Sequence, residues 1–357
     1  MLNKRTFYNN KMFLSGIMFS IMFCFVGILF PKKLMSFLFF LNDFILDKFG
    51  VFYLSFGLLI VLITLIIVFL PFSKKKMGET NPEYSYFSWI ALLYSTGMGS
   101  GLLLRAVQEP MFYLQKPPIT VYDSKQIALQ YTFFHWGLTP WAMYSIFGLI
   151  VAYNLYNRNE KNFLTAIVSN IKNSLLRKTI PLFIIIITIA GVIASLGLGT
   201  SQFIGGLNQY FNLDLGYKSL LITVSIIGII GTLSALTGIS KVIKYLADFD
   251  MIVSLLLLLF VACFLNFQNY FHNTIYAIYH YIIHFFEMSL SVGNFKASER
   301  FTKDWTVFYW AFWLAWVPFT GIFIARISKG RTIREFIFAT ILVPTIATII
   351  WFSVFAN

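Results

Sequence analysis

The sequence predicts an all-α, polytopic helical membrane protein, and three observations predict it. Of 357 residues, 58% are hydrophobic and only 11% are charged, against roughly 45–50% and about 25% in soluble domains. The mean hydropathy is +0.76. Apolar runs of about 20 residues, the length that crosses roughly 30 Å of hydrocarbon, recur along the whole chain. The cores of two or three soluble domains could not hide 41 Phe. A soluble enzyme, a disordered chain and a disulfide scaffold are therefore excluded.

Read between charges, nine runs are long enough to span. They are residues 12–30, 49–73, 84–104, a run inside 126–157, one starting near 180, 219–240, 251–271, 305–325 and 336–357. The first is no cleavable signal peptide, because the run is too long and Pro31-Lys32-Lys33 is not a small-residue cleavage site. The net charge of +13 is spread in short clusters between the runs rather than along one nucleic-acid-binding stripe, and such clusters set orientation. With the N-terminus inside, 17 Lys and Arg fall on inner segments and 9 on outer ones, with Arg105 at a span end. That bias predicts a cytoplasmic N-terminus in the plasma (bacterial inner) membrane. Nine spans leave Asn357 outside, at the last residue of a helix, so the chain reads as cut short. Cys24 and Cys263 lie within apolar runs and read as small buried hydrophobes.

Residues 273–286 are apolar nearly all round and too short to cross, which predicts an outer interfacial helix. His280 and His284 share a face of it. No third metal ligand clearly joins them, so interfacial packing is preferred to metal binding.

Three segments depart from the run of Leu, Ile and Phe. Gly97-Met98-Gly99-Ser100-Gly101 lies mid-span, where glycine costs about 1 kcal/mol per position. Close helix packing and an unwound stretch whose carbonyls hold an ion fit it equally well. The fourth run carries His135-Trp136, Pro140-Trp141 and Tyr144. The eighth packs Trp305, Trp310, Trp313 and Trp316 into twelve residues; an interfacial belt suits Trp305 but not Trp313 and Trp316, three apart at mid-span. Several Trp and Tyr faces around one cavity make a cage for a quaternary ammonium, each ring contributing about 0.5–2 kcal/mol. Glu109 and Asp304 read as span-end residues, so no carboxylate is expected deep in the bilayer, which favours the cage and argues against a proton pump. His135 reads as hydrogen-bonded structure, with a proton relay as the alternative.

These residues resemble the betaine/carnitine/choline transporter (BCCT) family. The likeness rests on Gly97-Met98-Gly99-Ser100-Gly101 with Glu109-Pro110, on Thr132-Phe133-Phe134-His135-Trp136-Gly137-Leu138 with Trp141, and on Ser195-Leu196-Gly197-Leu198-Gly199. It rests most on the stretch from Asp304-Trp305 through Trp316 to Phe323-Ile324-Ala325-Arg326-Ile327-Ser328-Lys329-Gly330-Arg331-Thr332-Ile333-Arg334-Glu335-Phe336. The resemblance implies a LeuT-like inverted-repeat core after two extra N-terminal helices. Residues 1–83 would hold those helices and a cytoplasmic loop, 84–272 the first five-helix repeat, 273–304 the interfacial helix and loop, and 305–357 a partial second repeat. It implies a substrate site lined by Gly97, Gly99 and Gly101 and an aromatic box of Trp136, Trp141, Tyr144, Trp313 and Trp316. In sodium-coupled members, carbonyls at the positions of Ser95 and Met98 bind one sodium, and Phe319 and the Ser195 hydroxyl fall near another. A homotrimer is implied, with no organic cofactor.

Three departures qualify the resemblance. Phe312 replaces a third Trp. Ser100 replaces an Ile and Arg105-Ala106 an aromatic-Gly pair, so Arg105 either meets a substrate carboxylate or snorkels outward. The family has twelve spans and this chain nine, so a remnant that inserts without transporting is the alternative to a carrier of quaternary ammonium osmolytes. No nucleophile with a base points to an enzyme, and no polar ring points to a channel.

Overall fold

The computed structural model describes residues 4–96, 100–236 and 239–356. Among these the chain is helical, with a single isolated antiparallel bridge between Lys76 and Thr332. Six helices are long and apolar enough to cross a membrane, and two shorter apolar ones, Leu14–Leu29 and Tyr217–Leu233, add to them.

Helices lie at the predicted spans, with altered ends. Helix α1 covers Lys4–Leu29, and α2 covers Pro31–Phe69. The loop expected over 31–48 is therefore the first half of α2, started by Pro31 in its first turn, where a missing N–H costs nothing. The third span consists of α3 (Tyr86–Ser95) and α4 (Ser100–Gln115); Gly97, Met98 and Gly99 lie outside the described residues. The fourth span is two helices, α5 (Ser124–Trp136) and α6 (Leu138–Tyr156), joined at Gly137. A methyl on Gly137 would run into the Phe133 carbonyl and sit 2.8 Å from the Tyr281 hydroxyl, so no other residue fits this joint.

A short helix α7 (Phe163–Val168) leads to α8 (Ser174–Phe211), α9 (Tyr217–Leu236) and α10 (Ile239–Ala262). The seventh span thus sits about a dozen residues earlier than the apolar run suggests. The interfacial helix, α11, starts earlier too, at Phe267 rather than 273, because the Asn266 side chain caps it by accepting from the Asn269 N–H at 3.2 Å. Its inner face is buried at Ala277 and Tyr281, while Ile275, Tyr279 and Ile282 are exposed. His280 and His284 stack at 5.3 Å, with His284 Nδ1 3.3 Å from Glu287 on α12 (Phe285–Leu290); no group of three metal ligands forms among the described residues. After a one-turn α13 (Glu299–Phe301), a π-helical turn over Thr302–Val307 leads into α14 (Phe308–Ile327), and α15 (Ile333–Ala356) closes the described chain.

The core is built by α5, α6, α14 and α15. Helices α6 and α14 approach backbone to backbone: a methyl on Gly148 would lie 3.1 Å from the Gly321 carbonyl. Small residues give this closeness where lipid provides no hydrophobic drive for helices to associate. At one end, the α14–α15 turn is pinned to the segment after α2 and to the start of α3. Met77 N–H donates to the Arg331 carbonyl (2.9 Å), and Gly330 N–H to the Met77 carbonyl (2.8 Å). The Arg331 guanidinium lies over Tyr86 (4.0 Å) and Trp89 (4.6 Å) and donates to the Tyr84 carbonyl at 2.7 Å. Cys24 and Cys263, expected to be buried, are both exposed; apolar runs place residues in lipid as readily as in the core.

Candidate functional site: an aromatic box beside a buried carboxylate

The joint at Gly137 makes the site. A helix leaves its last carbonyls without intrahelical partners, and α5 ends at Trp136. Two of those carbonyls hold indole rings. Trp313 donates to the His135 carbonyl (3.0 Å), and Trp141 donates to the Trp136 carbonyl (3.2 Å). The result is a cluster of four buried rings: Trp136, Trp141, Tyr144 and Trp313.

Their packing is edge to face throughout. Trp136 and Trp313 lie 5.1 Å apart at 79°, Tyr144 and Trp313 6.1 Å apart at 87°, and Trp141 and Tyr144 5.5 Å apart at 82°. In such pairs the electropositive edge of one ring sits on the electronegative face of the next. An ammonium would take the place of an edge, because a cation seeks the same face. The box is closed upon itself: at 5.1 Å, the Trp136–Trp313 pair leaves no room for a trimethylammonium group between them.

Of the other expected residues, Trp316 is not among these rings. It packs against Phe319 (5.6 Å) and toward Gly191 of α8. A methyl on Gly101 would meet nothing within 4 Å, so that position borders open space. Ser95 donates its hydroxyl to the Leu92 carbonyl at 3.0 Å, while Ser195 and Phe319 are exposed. Met98, Gly97 and Gly99 are outside the described residues. Arg105 neither points into the box nor stands free: its guanidinium lies 5.8 Å over the Trp305 ring.

One expectation is overturned. Glu109 is not a span-end carboxylate; it is fully buried, and it touches the box. Its Oε2 accepts the Trp136 indole N–H at 3.0 Å and the Tyr309 hydroxyl. Its Oε1 accepts the Tyr113 hydroxyl at 3.0 Å. Tyr113 in turn lies 2.9 Å from His135 Nδ1, and His135 Nε2 lies 3.0 Å from the Thr306 hydroxyl of the π-helical turn. Three donors meet its two oxygens, so this polar group is not buried without partners. Sequence reasoning missed Tyr113, Thr306 and Tyr309. Glu109, Tyr113 and Arg105 are four residues apart on one face of α4, as Tyr309 and Trp313 are on α14, and that spacing was the available signal.

The fold and site define a class: a polytopic helical membrane protein whose polar and aromatic groups converge inside the bundle, the arrangement of a small-molecule transporter. The chain belongs to the BCCT, betaine/carnitine/choline family transporter, whose family model matches residues 11–357. It is 37% identical over 343 residues to the glycine betaine transporter OpuD of Bacillus subtilis (strain 168), covering 92% of this chain and 66% of that protein. It is 33% identical to the high-affinity choline transport protein of Escherichia coli (strain K12), covering 88% of this chain and 48% of the relative. It is 30% identical to the ectoine/hydroxyectoine transporter of Virgibacillus pantothenticus, covering 72% of that protein. The chain therefore spans about half to three quarters of the length of these curated relatives.

Proposed function

We propose that this chain carries the substrate site of a secondary transporter that imports a quaternary ammonium or related zwitterionic osmolyte, of the glycine betaine, choline and carnitine class, across the plasma membrane. The observation that carries the reading is the convergence of Trp136, Trp141, Tyr144 and Trp313. Each ring is held by an indole hydrogen bond or by its neighbour's edge, and a cation would take the place of an edge once the rings part. The relatives named for glycine betaine, choline and ectoine support the substrate class. The LeuT-like division, with a first repeat over 84–272 and part of a second over 305–357, rests on the resemblance, and the cytoplasmic N-terminus rests on the 17-to-9 distribution of Lys and Arg. Sodium coupling through Ser95, Met98, Ser195 and Phe319 rests on the resemblance too. A homotrimer is supported by the exposed apolar faces of α11 and α12, where Ile275, Tyr279 and Ile282 of the first and Phe286 of the second stand clear of the bundle.

Equilibrium binding of radiolabelled glycine betaine to the detergent-purified chain tests the reading. Choline and carnitine should compete, and alanine, which lacks the methylated ammonium, should not. Saturable binding that alanine displaces as well as choline does would sink the cage.

A further inference from the structure

The end of the bundle where α2, α6 and α15 meet holds a cavity of about 350 Å³, remote from the box. Its floor is Ile333 at the start of α15, which is buried and whose N–H donates to the Lys75 carbonyl at 3.0 Å. One wall is apolar: Ile67 and Phe72 come from the end of α2 and the turn after it, Ile146 and Ile150 from α6. The rim is cationic. Lys75 Nζ lies 5.4 Å and the Arg158 guanidinium 5.8 Å from the centre of the same ring, that of Tyr153.

Neighbouring cations at this end are already engaged by the protein. Arg334 Nε donates to the Val68 carbonyl (3.1 Å) and the Ser73 hydroxyl (3.2 Å). Arg331 is held by Tyr84, Tyr86 and Trp89. Lys75 and Arg158 differ from both. They are exposed, and among the described residues neither pairs with a carboxylate. Arg158 donates to the Asn170 side chain, which leaves most of its five N–H groups for another acceptor. Among the described residues no Asp or Glu lines the cavity, so two like charges crowd one ring with nothing of opposite sign between them, an arrangement that an anion relieves. The apolar wall continues outward, since Phe72, Ile150 and, beside them on α2, Ile66 and Phe69 are all exposed.

We propose that this cavity binds one anionic phospholipid of the phosphatidylglycerol type, with its phosphodiester between Lys75 and Arg158 and the start of an acyl chain along Ile67, Ile146 and Ile150. Basic pockets between helices at a membrane surface take acidic headgroups in this way. A free phosphate would satisfy the cations and leave the wall empty. A phosphatidylcholine would fill the wall and bring its ammonium to a rim without a carboxylate. A lipid of net negative charge matches both halves of the site. It also braces the ends of α2 and α6 against the start of α15, and a ligand of the folded state stabilises that state.

Native mass spectrometry of the full chain, released from neutral detergent containing dioleoyl phosphatidylglycerol, counts the lipids retained. Wild type should keep one phosphatidylglycerol, with an affinity at least about tenfold above that for dioleoyl phosphatidylcholine, and the preference should weaken with salt. Lys75→Gln combined with Arg158→Gln should lower that affinity about tenfold or more. Lys161→Gln combined with Lys172→Gln removes the same charge from exposed loop positions at this end but outside the cavity, and should bind as wild type does. Equal retention of the two lipids by wild type would leave only an apolar groove, and equal losses in the two double variants only a diffuse surface potential; either overturns the proposal. Inorganic phosphate that raises the thermal midpoint as much as phosphatidylglycerol does would assign the cations to a free anion and overturn the lipid.

If the Lys75→Gln, Arg158→Gln variant does not fold, wild type alone decides. Phosphatidylglycerol carrying a diazirine near the carboxyl end of an acyl chain is photolysed in place. The labelled peptides should be those containing Ile67, Ile146 or Ile150, and phosphatidylcholine with the same group should label them about tenfold less. Equal labelling by both lipids, or label confined to other peptides, overturns the site. Betaine takes no part in these experiments, so their outcome is separate from that of the transport reading.

Discussion

Two regions of this molecule invert the rule that holds for soluble proteins. The span of α5 and α6 has a mean hydropathy of only 1.2 in its best window, and 67% of that window is buried inside the protein. Helix α8 reaches 2.6, and only 6% of its window is buried. In water the more apolar segment would be the inner one. In a bilayer, lipid tails are as apolar as leucine, so hydrophobicity gives no reason to be inside. What goes inside is what lipid cannot satisfy: Gln126, Gln130, Thr132 and His135 are all buried along α5, and each polar side chain there has a partner. Of these two, the more apolar helix is the exposed one, and the less apolar pair forms the site.

The sharpest way to break this comparison is to add one methyl to each region. Gly137→Ala would force a methyl into the Phe133 backbone carbonyl at the α5–α6 joint. Neither backbone can yield without moving the carbonyls that hold Trp313 and Trp141. We expect a loss of about 3 kcal/mol or more, seen as a failure to accumulate in membranes or a large fall in thermal midpoint in detergent. A folded variant with an unchanged midpoint would mean that the joint is not a fixed part of the core.

The next effect is on binding. Trp313→Ala removes the ring shared by the two central edge-to-face contacts, and betaine affinity should fall at least tenfold, or about 1.4 kcal/mol. Trp316→Ala, on the same helix but turned toward Gly191, should change affinity by less than about threefold. Equal losses in the two variants would place Trp316 in the box, as the family resemblance implies and the ring contacts do not.

That pair also measures how much of the site could be read in the sequence. The apolar helices were legible because hydropathy reports on lipid, and the density of Trp in the eighth run flagged its face. Trp136, Trp141, Tyr144 and Trp313 could be chosen from motif and spacing. Their closure could not, because it depends on the α5–α6 joint, and a lone glycine in an apolar run carries little signal. Glu109 was misread for a related reason. A charge in a hydropathy profile looks like the end of a span, whereas here it is covered by Tyr309, 200 residues away in sequence, and no local pattern announces such a pairing. The early start of α2 was hidden in the same way, since Lys32, Lys33 and Lys48 interrupt the run without interrupting the helix.

A smaller effect belongs to the end of the molecule where α3 meets the α14–α15 turn. Arg331 is 4% exposed, with its guanidinium over two rings and one N–H on the Tyr84 carbonyl. Arg331→Lys keeps the charge but loses the planar group that stacks and donates together. A cost of about 1–2 kcal/mol is expected, measured as the thermal midpoint, with betaine affinity little changed because the box is built elsewhere.

The smallest expected effect completes the comparison. Gly206 lies in the interior of α8, and a methyl placed on it would meet nothing within 4 Å. Glycine there gains no close contact and still costs backbone entropy, so Gly206→Ala should stabilise by up to about 1 kcal/mol. The result bears on more than propensity. If the open side of α8 faces lipid, the added methyl is solvated by acyl chains and the small gain survives both in detergent and in bilayers. If another protein surface packs there in the membrane, alanine would be crowded, and the gain seen in detergent would turn into a loss in the bilayer. A sign change between the two media would show that this exposed helix is an interface rather than a lipid-facing wall.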